Sequence, residues 1–273
     1  MTDFLGKRPI LAVSPHLDDA CMAVGATLAA LVEAGQPVVV CTVFAGQPLP
    51  PFSSVATAFH TDCALGDDAV SVRRAEDLQA LAAIGGKAVH LDFLDAIYRR
   101  HGDAWLCPRP GANFDLTLPD EPELRGGIAA ELRKVFGTFD PVAVWVCAAT
   151  GGHVDHRIAR DATEIVCRED GRELCFWEGL PYAFGTSSII TPPSHCPVEV
   201  RAEHVVRKLS AVEHYGSQLR MLFPDDEDWR QAFVDHADLR RAQYDAPELV
   251  WIPQPGRSAV PESTPRAFSG ADR

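Results

Sequence analysis

The sequence predicts an α/β fold: a Rossmann-like, mostly parallel sheet with helices on both faces and long active-site loops. Short, continuous apolar runs alternate with longer segments of helical periodicity, a pattern typical of βαβ units. The apolar runs lack the strict alternation of a half-exposed strand. They are therefore expected to be strands covered on both faces, as in parallel sheets.

The predicted elements follow one another along most of the chain. The predicted strands cover residues 9–13, 37–44, 88–93, 142–147 and 173–177. Helical spacing occurs over residues 20–34, 72–84, 123–136, 157–169 and 203–219, with a further charged stretch at 225–241. Long segments containing Pro and Gly separate these elements at 46–68, 99–122 and 180–198. Loops of this length are expected to shape a pocket.

The chain is long enough for one domain with a full core. It has 273 residues, of which 47% are hydrophobic and 23% charged, and no internal repeat is visible. A single domain is predicted over residues 1–253. The remainder, 254–273, is rich in Pro, Ser, Gly and Arg and is predicted to be loosely ordered.

The net charge excludes some partners. At a formal charge of −13, and with no basic patch in the sequence, neither nucleic acid nor an anionic membrane is expected to bind. No apolar run approaches the roughly 20 residues of a membrane helix, and residues 1–8 lack a signal-peptide pattern. A cytoplasmic protein is predicted, and its oligomeric state stays open.

The eight cysteines are scattered, with no CxxC pair. Several lie within apolar segments, so reduced and mostly buried thiols are expected. A zinc site built from cysteines is disfavoured.

Two polar turns carry the candidate chemistry. The first predicted strand leads into Ser14-Pro15-His16-Leu17-Asp18-Asp19-Ala20, and the strand at 142–147 leads into Gly151-Gly152-His153-Val154-Asp155-His156. The carboxyl ends of parallel strands meet at one edge of a sheet, so the two turns are expected to converge. Imidazoles and carboxylates form a mixed site suited to zinc, and iron or cobalt would fit the same donors.

Each turn also has a plain structural interpretation. Asp18 or Asp19 would cap a helix that starts near Ala20, and Asp155 would cap one that starts near His156. However, adjacent acids and three histidines at two strand ends are costly without a metal ion to balance them. Their joint occurrence favours a metal site.

The pair of turns resembles the LmbE/PIG-L family of zinc-dependent N-acetylglucosaminyl deacetylases, whose motifs are typically Ala-His-Pro-Asp-Asp-Glu and His-x-Asp-His. This chain departs from the first motif at Pro15, Leu17 and Ala20. Its His-Leu-Asp-Asp-Ala form resembles members from natural-product pathways. The resemblance reaches about residue 220 through Val43-Phe44-Ala45-Gly46, Arg73-Arg74-Ala75-Glu76, Leu94-Asp95-Ala96, Glu178-Gly179-Leu180-Pro181-Tyr182, Lys208 and Ser217-Gln218.

This resemblance implies a zinc-dependent amide hydrolase, with Zn²⁺ as its cofactor. His16, Asp19 and His156 would hold the zinc ion. Asp18 would be the general base, and a protonated His153 would stabilise the oxyanion formed from the amide carbonyl.

Further residues are implied around these. Asp155 would hold an imidazole in place from behind. Arg73 or Arg74, together with Asp95, would contact the sugar hydroxyls.

The expected substrate is a small-molecule glycoside bearing an N-acyl group, which is expected to be acetyl. Aromatic side chains in the long loops suggest an apolar platform for a bulky aglycone, as in a glycopeptide antibiotic pseudoaglycone. A small sugar-thiol or a free amino-sugar conjugate is the alternative. The aromatic residues are Phe52, Phe59, Trp105, Phe114, Tyr182 and Phe184.

Other classes of protein fit the sequence less well. A dinucleotide-binding protein would need GxGxxG after the first strand, where this chain has two acids. A serine hydrolase would need GxSxG, which is absent from the sequence. A non-catalytic sugar- or metal-binding module remains an alternative, although the inferred base Asp18 argues against it.

Overall fold

The computed structural model describes residues 6–185, 198–224 and 228–252. Six strands form one sheet in the order β3-β2-β1-β6-β7-β8, and two further strands form a hairpin. The sheet strands are β1 (Ile10–Ser14), β2 (Val38–Thr42), β3 (Lys87–His90), β6 (Ala143–Cys147), β7 (Leu174–Trp177) and β8 (Val250–Trp251); the hairpin strands are β4 (Arg100–His101) and β5 (Ala104–Trp105).

Helices cover both faces of this sheet. One layer contains α1, α3 and α6, which contact one another, and α4 pairs with α5 in the other layer. The predicted α/β fold is therefore confirmed. The helices are α1 (Asp19–Glu33), α2 (Ser54–Asp62), α3 (Ala69–Ile84), α4 (Pro122–Phe139), α5 (Val154–Asp170), α6 (Ala202–Val212), α7 (Gly216–Leu222) and α8 (Trp229–Tyr244).

The sheet reverses its winding between β1 and β6. Strand β1 pairs in parallel with β2 on one side and with β6 on the other. All residues of these three strands are buried, which explains their continuous apolar sequences. The crevice at the carboxyl ends of β1 and β6 is the topological switch point where such sheets bind ligands.

The structure differs from the predicted elements in four places. The segment 46–68 contains α2, whose N-cap Ser53 accepts a hydrogen bond from the Ala56 amide at 2.9 Å. The segment 99–122 contains the β4–β5 hairpin. The predicted helix 203–219 is two helices, broken where the buried Tyr215 donates its hydroxyl to Asp77. Strand β8 pairs antiparallel with β7 and is too short to be recognised from sequence.

Several predictions concern residues outside the described ranges. The loosely ordered tail at 254–273 and most of the third long loop lie there. Seven cysteines lie in the described ranges and all are buried, as predicted, whereas Cys196 lies outside them. Within the described ranges, no helix has the length and apolar character needed to cross a bilayer.

Candidate metal centre and catalytic site

A cavity of about 300 Å³ opens at the switch point between β1 and β6. Its polar end is formed by His16, Asp18, Asp19 and His153, so the two turns converge as predicted. Apolar side chains from α1, α2, α7 and the loops form much of the remaining wall, including Met22, Val55, Phe59, Phe114, Tyr182, Met221 and Leu222.

The first turn is held by its own polar groups. The Ser14 hydroxyl donates to the carbonyl of His16 at 2.7 Å and accepts from the Ala20 amide at 3.1 Å. Asp19 Oδ2 accepts from the His16 amide at 2.9 Å. Asp18 occupies the N-cap of α1, but its side chain caps no helix amide. Both carboxylates are thus left for the cavity instead of serving as caps.

The second turn presents its histidines in a similar way. His153, not Asp155, is the N-cap of α5, and its Nδ1 accepts from the Asp155 amide at 3.1 Å. Gly151 precedes it with φ +84°, and a side chain there would meet the Tyr182 ring at 3.1 Å. Glycine therefore permits both the turn and the close approach of Tyr182.

Three donor atoms meet beside the cavity. His16 Nδ1 lies 3.2 Å from Asp19 Oδ2 and 3.3 Å from His156 Nε2, and the latter lies 3.2 Å from Asp19 Oδ2. Ligands about 2.0–2.1 Å from a tetrahedral zinc ion are about 3.3 Å apart, so these three atoms fit one metal ion. The cluster is one of the candidate metal-binding groups among the described residues.

Electrostatics favour a cation at this point. Burial lowers the pKa of His16, but Asp95, Asp155 and Asp19 outweigh burial and raise this pKa well above its usual value. Burial raises the pKa of Asp19, but His156 and His16 outweigh it and hold the pKa well below its usual range. The surroundings thus stabilise positive charge between the imidazoles and keep Asp19 ionised, as a metal ligand requires.

Asp18 differs from its neighbour although both are buried. Burial, followed by the charge of Asp19, raises the pKa of Asp18 to about 6, against a lowering by Arg73. Arg73 Nη2 lies 3.6 Å from Asp18 Oδ2. A carboxyl group with this pKa can accept and return a proton near neutral pH, which suits a general base.

His153 is neutral in this arrangement. Burial, followed by His16 and His156, lowers its pKa well below the usual value. Since Nδ1 accepts the Asp155 amide hydrogen, the ring proton is on Nε2. This differs from the protonated imidazole implied by the family resemblance, but a neutral ring still offers one N–H donor to the cavity.

Asp155 lies behind the site and does not line the cavity. It is 0% exposed, and its Oδ2 lies 3.1 Å from His16 Nε2 and accepts from the Ala96 amide at 2.9 Å. The imidazole held by Asp155 is therefore that of His16. Its position is that of a residue that orients a ligand.

The structure distinguishes the two candidate arginines. Arg73 lines the cavity, and its guanidinium stands 5.4 Å from the centre of the Phe59 ring. Arg74 lies outside the cavity and pairs with Asp92 at 2.5 Å. Asp95 lines the cavity, with its Oδ2 3.4 Å from His16 Nε2. Arg73 and Asp95 are thus placed to contact a ligand, and Arg74 is not.

Only part of the predicted aromatic platform is present. Phe59, Phe114 and Tyr182 line the cavity. The other three aromatic side chains pack elsewhere: Phe52 against His60 and Tyr98, Trp105 under Arg100, and Phe184 against Phe223 and Phe233.

Sequence reasoning missed two residues near the site, Arg99 and Glu121. Arg99 Nη1 donates to Asp155 Oδ1 at 2.7 Å, and its other nitrogens bind Glu121. No spacing rule relates these residues. The nearby Leu94-Asp95-Ala96 resemblance was the only signal in that part of the chain.

Two imidazoles and a carboxylate meet at the sheet's switch point beside a second carboxyl group, an arrangement typical of metal-dependent hydrolases. The family model described as PIG-L, GlcNAc-PI de-N-acetylase, matches residues 11–167. The chain belongs to this family, and the predicted class of activity, a deacetylase that hydrolyses N-acetyl groups, is confirmed.

Proteins of known activity support this membership. The chain is 28% identical over 237 residues to a 2'-N-acetylparomamine deacetylase of Niallia circulans, covering 81% of this chain and 84% of that protein.

Solved structures show a closer likeness. The zinc-inhibited form of teicoplanin deacetylase Orf2 is 35% identical with a TM-score of 0.80, covering 89% of this chain and 97% of that one. The A40926 pseudoaglycone deacetylase Dbv21 is 36% identical with a TM-score of 0.74, covering 90% and 97%.

Proposed function

We propose that this protein is a zinc-dependent deacetylase that removes the acetyl group from the amino sugar of a glycopeptide antibiotic precursor. The observation that carries the proposal is the meeting of His16 Nδ1, Asp19 Oδ2 and His156 Nε2 within 3.3 Å of one another, beside Asp18. These three side chains would hold the zinc ion, and their mixed N/O donor set fits it.

The chain's own groups would divide the work of amide hydrolysis. When bound, zinc acts as a Lewis acid toward a carbonyl oxygen and lowers the pKa of a coordinated water. Asp18 would take a proton from the attacking water and return it to the departing amine, which its pKa of about 6 suits. His153 would donate a hydrogen bond from its Nε2–H group to the oxygen of the former carbonyl.

Arg73 and Asp95 would orient the sugar. Both line the cavity beside the catalytic end, where a guanidinium and a carboxylate can bind hydroxyl groups. Arg73 also lies 3.6 Å from Asp18, so its charge moderates the pKa of the proposed base. One residue would thereby link substrate orientation to the protonation of Asp18.

The size of the cavity bears on the aglycone. A volume of about 300 Å³ is at the lower limit of ligand pockets and suits a single acylated sugar. A bulky aglycone would lie outside it, and Leu116, which is 59% exposed and close to Gly152 in the turn before His153, offers an apolar contact there. The greater identity to deacetylases of glycopeptides supports this substrate class.

A second candidate is a small aminoglycoside intermediate. It is favoured by the 28% identity to a 2'-N-acetylparomamine deacetylase, which extends over 84% of that relative. Both candidates share the same metal site and reaction, and differ only in what the sugar is attached to.

A substrate panel tests the proposal. The zinc-loaded protein would be assayed for amine release from N-acetylglucosamine, 2'-N-acetylparomamine and an N-acetylglucosaminyl glycopeptide pseudoaglycone. We expect the highest kcat/KM for the pseudoaglycone. A preference for paromamine would support the second candidate, and absence of amine release from all three would reject the deacetylase assignment.

A further inference from the structure

A buried chain of charged contacts connects the loop at 99–122 with His16. Arg99 Nη1 donates to Asp155 Oδ1 at 2.7 Å, and Asp155 Oδ2 lies 3.1 Å from His16 Nε2. Arg99 and His16 are only 8% and 7% exposed. Salt screens such buried contacts far less than contacts at the surface, so the chain of contacts can be strong.

At its outer end, this series of contacts joins the two ends of the loop at 99–122 through Arg99 and Glu121. Arg99 Nε and Nη2 donate to Glu121 Oε1 and Oε2 at 3.0 and 2.8 Å. Arg99 begins the loop, Glu121 lies at its end as the N-cap of α4, and residues between them line the cavity. One guanidinium thus joins the base of a cavity loop to the carboxylate behind His16.

Asp155 has its acceptor sites assigned by these contacts. Oδ1 accepts from Arg99, while Oδ2 accepts from the Ala96 amide at 2.9 Å and faces His16 Nε2. Because an ionised carboxylate only accepts, Asp155 keeps a proton on His16 Nε2 when a metal ion takes the place of the proton on Nδ1. Nδ1 is thereby directed at Asp19 Oδ2 and His156 Nε2, the other two proposed metal donors.

We propose that Arg99 is a positioning residue for the metal site. It fixes the orientation and charge of Asp155, and Asp155 in turn fixes His16 with Nδ1 toward the metal. Through Glu121, Arg99 also couples this orientation to the base of the cavity loop. The inference rests on the proposed metal-dependent function.

His16 is the ligand whose orientation depends most on such support. The other imidazole ligand, His156, has no hydrogen-bond partner for Nδ1 among the described residues. It packs against the Tyr182 ring, with 5.5 Å between ring centres. Loss of Arg99 would therefore loosen the orientation of His16, which depends on hydrogen bonds, while His156 would keep its packing against the Tyr182 ring.

The chain supplies a matched control in Arg240. Its Nε and Nη2 donate to Glu178 at 2.9 and 2.5 Å, and His236 Nε2 lies 3.1 Å from the same carboxylate. This second cluster has the same three kinds of group and similar burial, but contains none of the proposed metal donors. A purely structural role for Arg99 predicts the same behaviour for Arg99→Met and Arg240→Met.

The test measures zinc affinity directly, by competition with a chromophoric chelator, for wild type, Arg99→Met, Arg99→Lys and Arg240→Met. We expect the Kd for zinc to rise about 10–100-fold in Arg99→Met, the usual effect of losing a residue behind a metal ligand. Arg99→Lys should retain part of the zinc affinity, because lysine keeps the positive charge but lacks the forked donors of a guanidinium. Arg240→Met should leave the Kd within about threefold of wild type.

A second readout isolates the orientation of His16. In ¹⁵N-edited NMR of the zinc-loaded wild type, the His16 proton should be on Nε2, and Arg99→Met should weaken or broaden that Nε2–H signal. If Arg99→Met does not fold, Glu121→Gln, which loosens only the outer end, should still raise the zinc Kd by a smaller factor.

Two failures are distinguishable. A zinc Kd that changes equally in the Arg99 and Arg240 variants, or an unchanged Kd in both Arg99→Lys and Glu121→Gln, would overturn the positioning role. A wild-type protein that binds no zinc would instead reject the proposed metal function, whatever the variants do.

Discussion

Two buried clusters in this protein contain the same three kinds of group, an arginine, a carboxylate and a histidine. Arg99, Asp155 and His16 lie behind the switch point between β1 and β6. Arg240, Glu178 and His236 join α8 to the end of β7. We refer to them as the inner cluster and the outer cluster. Their chemical composition is alike, but the second nitrogens of their imidazoles face different surroundings.

The surroundings of this second nitrogen distinguish a candidate catalytic site from a cluster with only a structural role. In the inner cluster, His16 Nδ1 faces Asp19 Oδ2 and His156 Nε2 at 3.2 and 3.3 Å. In the outer cluster, His236 Nδ1 has no hydrogen-bond partner among the described residues. A buried ion pair by itself therefore does not indicate a functional site. Function is indicated when the pair orients a donor toward other donors.

The largest effect is expected from removing a proposed ligand. In His156→Ala, zinc content after desalting should fall to nearly zero and amine release to background, because two donors hold zinc poorly. The control, His236→Ala, removes a buried imidazole from the outer cluster. It should retain about one zinc per chain while losing roughly 1–3 kcal/mol of unfolding free energy. Loss of zinc in both variants would remove the distinction between the clusters.

Neutralising the two carboxylates should separate metal affinity from stability. Asp155→Asn should weaken zinc binding by about 10–100-fold, because an amide no longer fixes the His16 tautomer. Glu178→Gln should leave zinc affinity nearly unchanged and lower the unfolding free energy by about 3–5 kcal/mol, since it breaks the buried ion pair between Glu178 and Arg240. Chelator competition and urea unfolding measure the two quantities.

The distinction between the two clusters depends on zinc affinity falling in only one of these two variants. If Glu178→Gln weakened zinc binding as much as Asp155→Asn did, the outer cluster would also support the metal site. The loop that carries Tyr182 would then be the connection to examine, because it directly follows Glu178.

A smaller effect on catalysis is expected at Gly151, where the turn after β6 passes close to the Tyr182 ring. Gly151→Ala would place a methyl group 3.1 Å from that ring at φ +84°, so kcat/KM should fall by about tenfold with zinc retained. Gly126→Ala is the control, since nothing lies within 4 Å of its added carbon. It should gain about 0.5–1 kcal/mol of stability in α4 and leave kinetics unchanged. Equal kinetics in both variants would exclude Tyr182 as a sensitive part of the cavity wall.

Much of the fold could be predicted because buried parallel strands have an unambiguous sequence pattern. The continuous apolar runs gave β1, β2 and β6 with errors of a few residues at their ends. Helix α2 was missed because only one end of it carries a clear signal, the Ser53 cap. The break between α6 and α7 depends on a distant contact, Tyr215 with Asp77, which no local pattern reports.

The candidate site was predictable where its residues come from two short turns. The two turns contain five of the polar side chains near the cavity and also Asp155 behind it. The rest depends on contacts between residues far apart in sequence: Arg99 reaches Asp155 across 56 positions. Which of Arg73 and Arg74 faces the cavity follows from the orientation of α3 and its pairing with Asp92, which adjacent positions cannot reveal.

The central claim is that a metal ion bound by His16, Asp19 and His156 works together with Asp18 as base. Its most direct test is zinc content measured together with amine release from an N-acetylglucosaminyl substrate, for wild type and Asp18→Asn. We expect about one zinc per chain in both proteins, with kcat lower by roughly 10²–10⁴-fold in the variant. Wild-type protein that takes up no zinc, or a variant that releases amine as fast as wild type, would contradict the account.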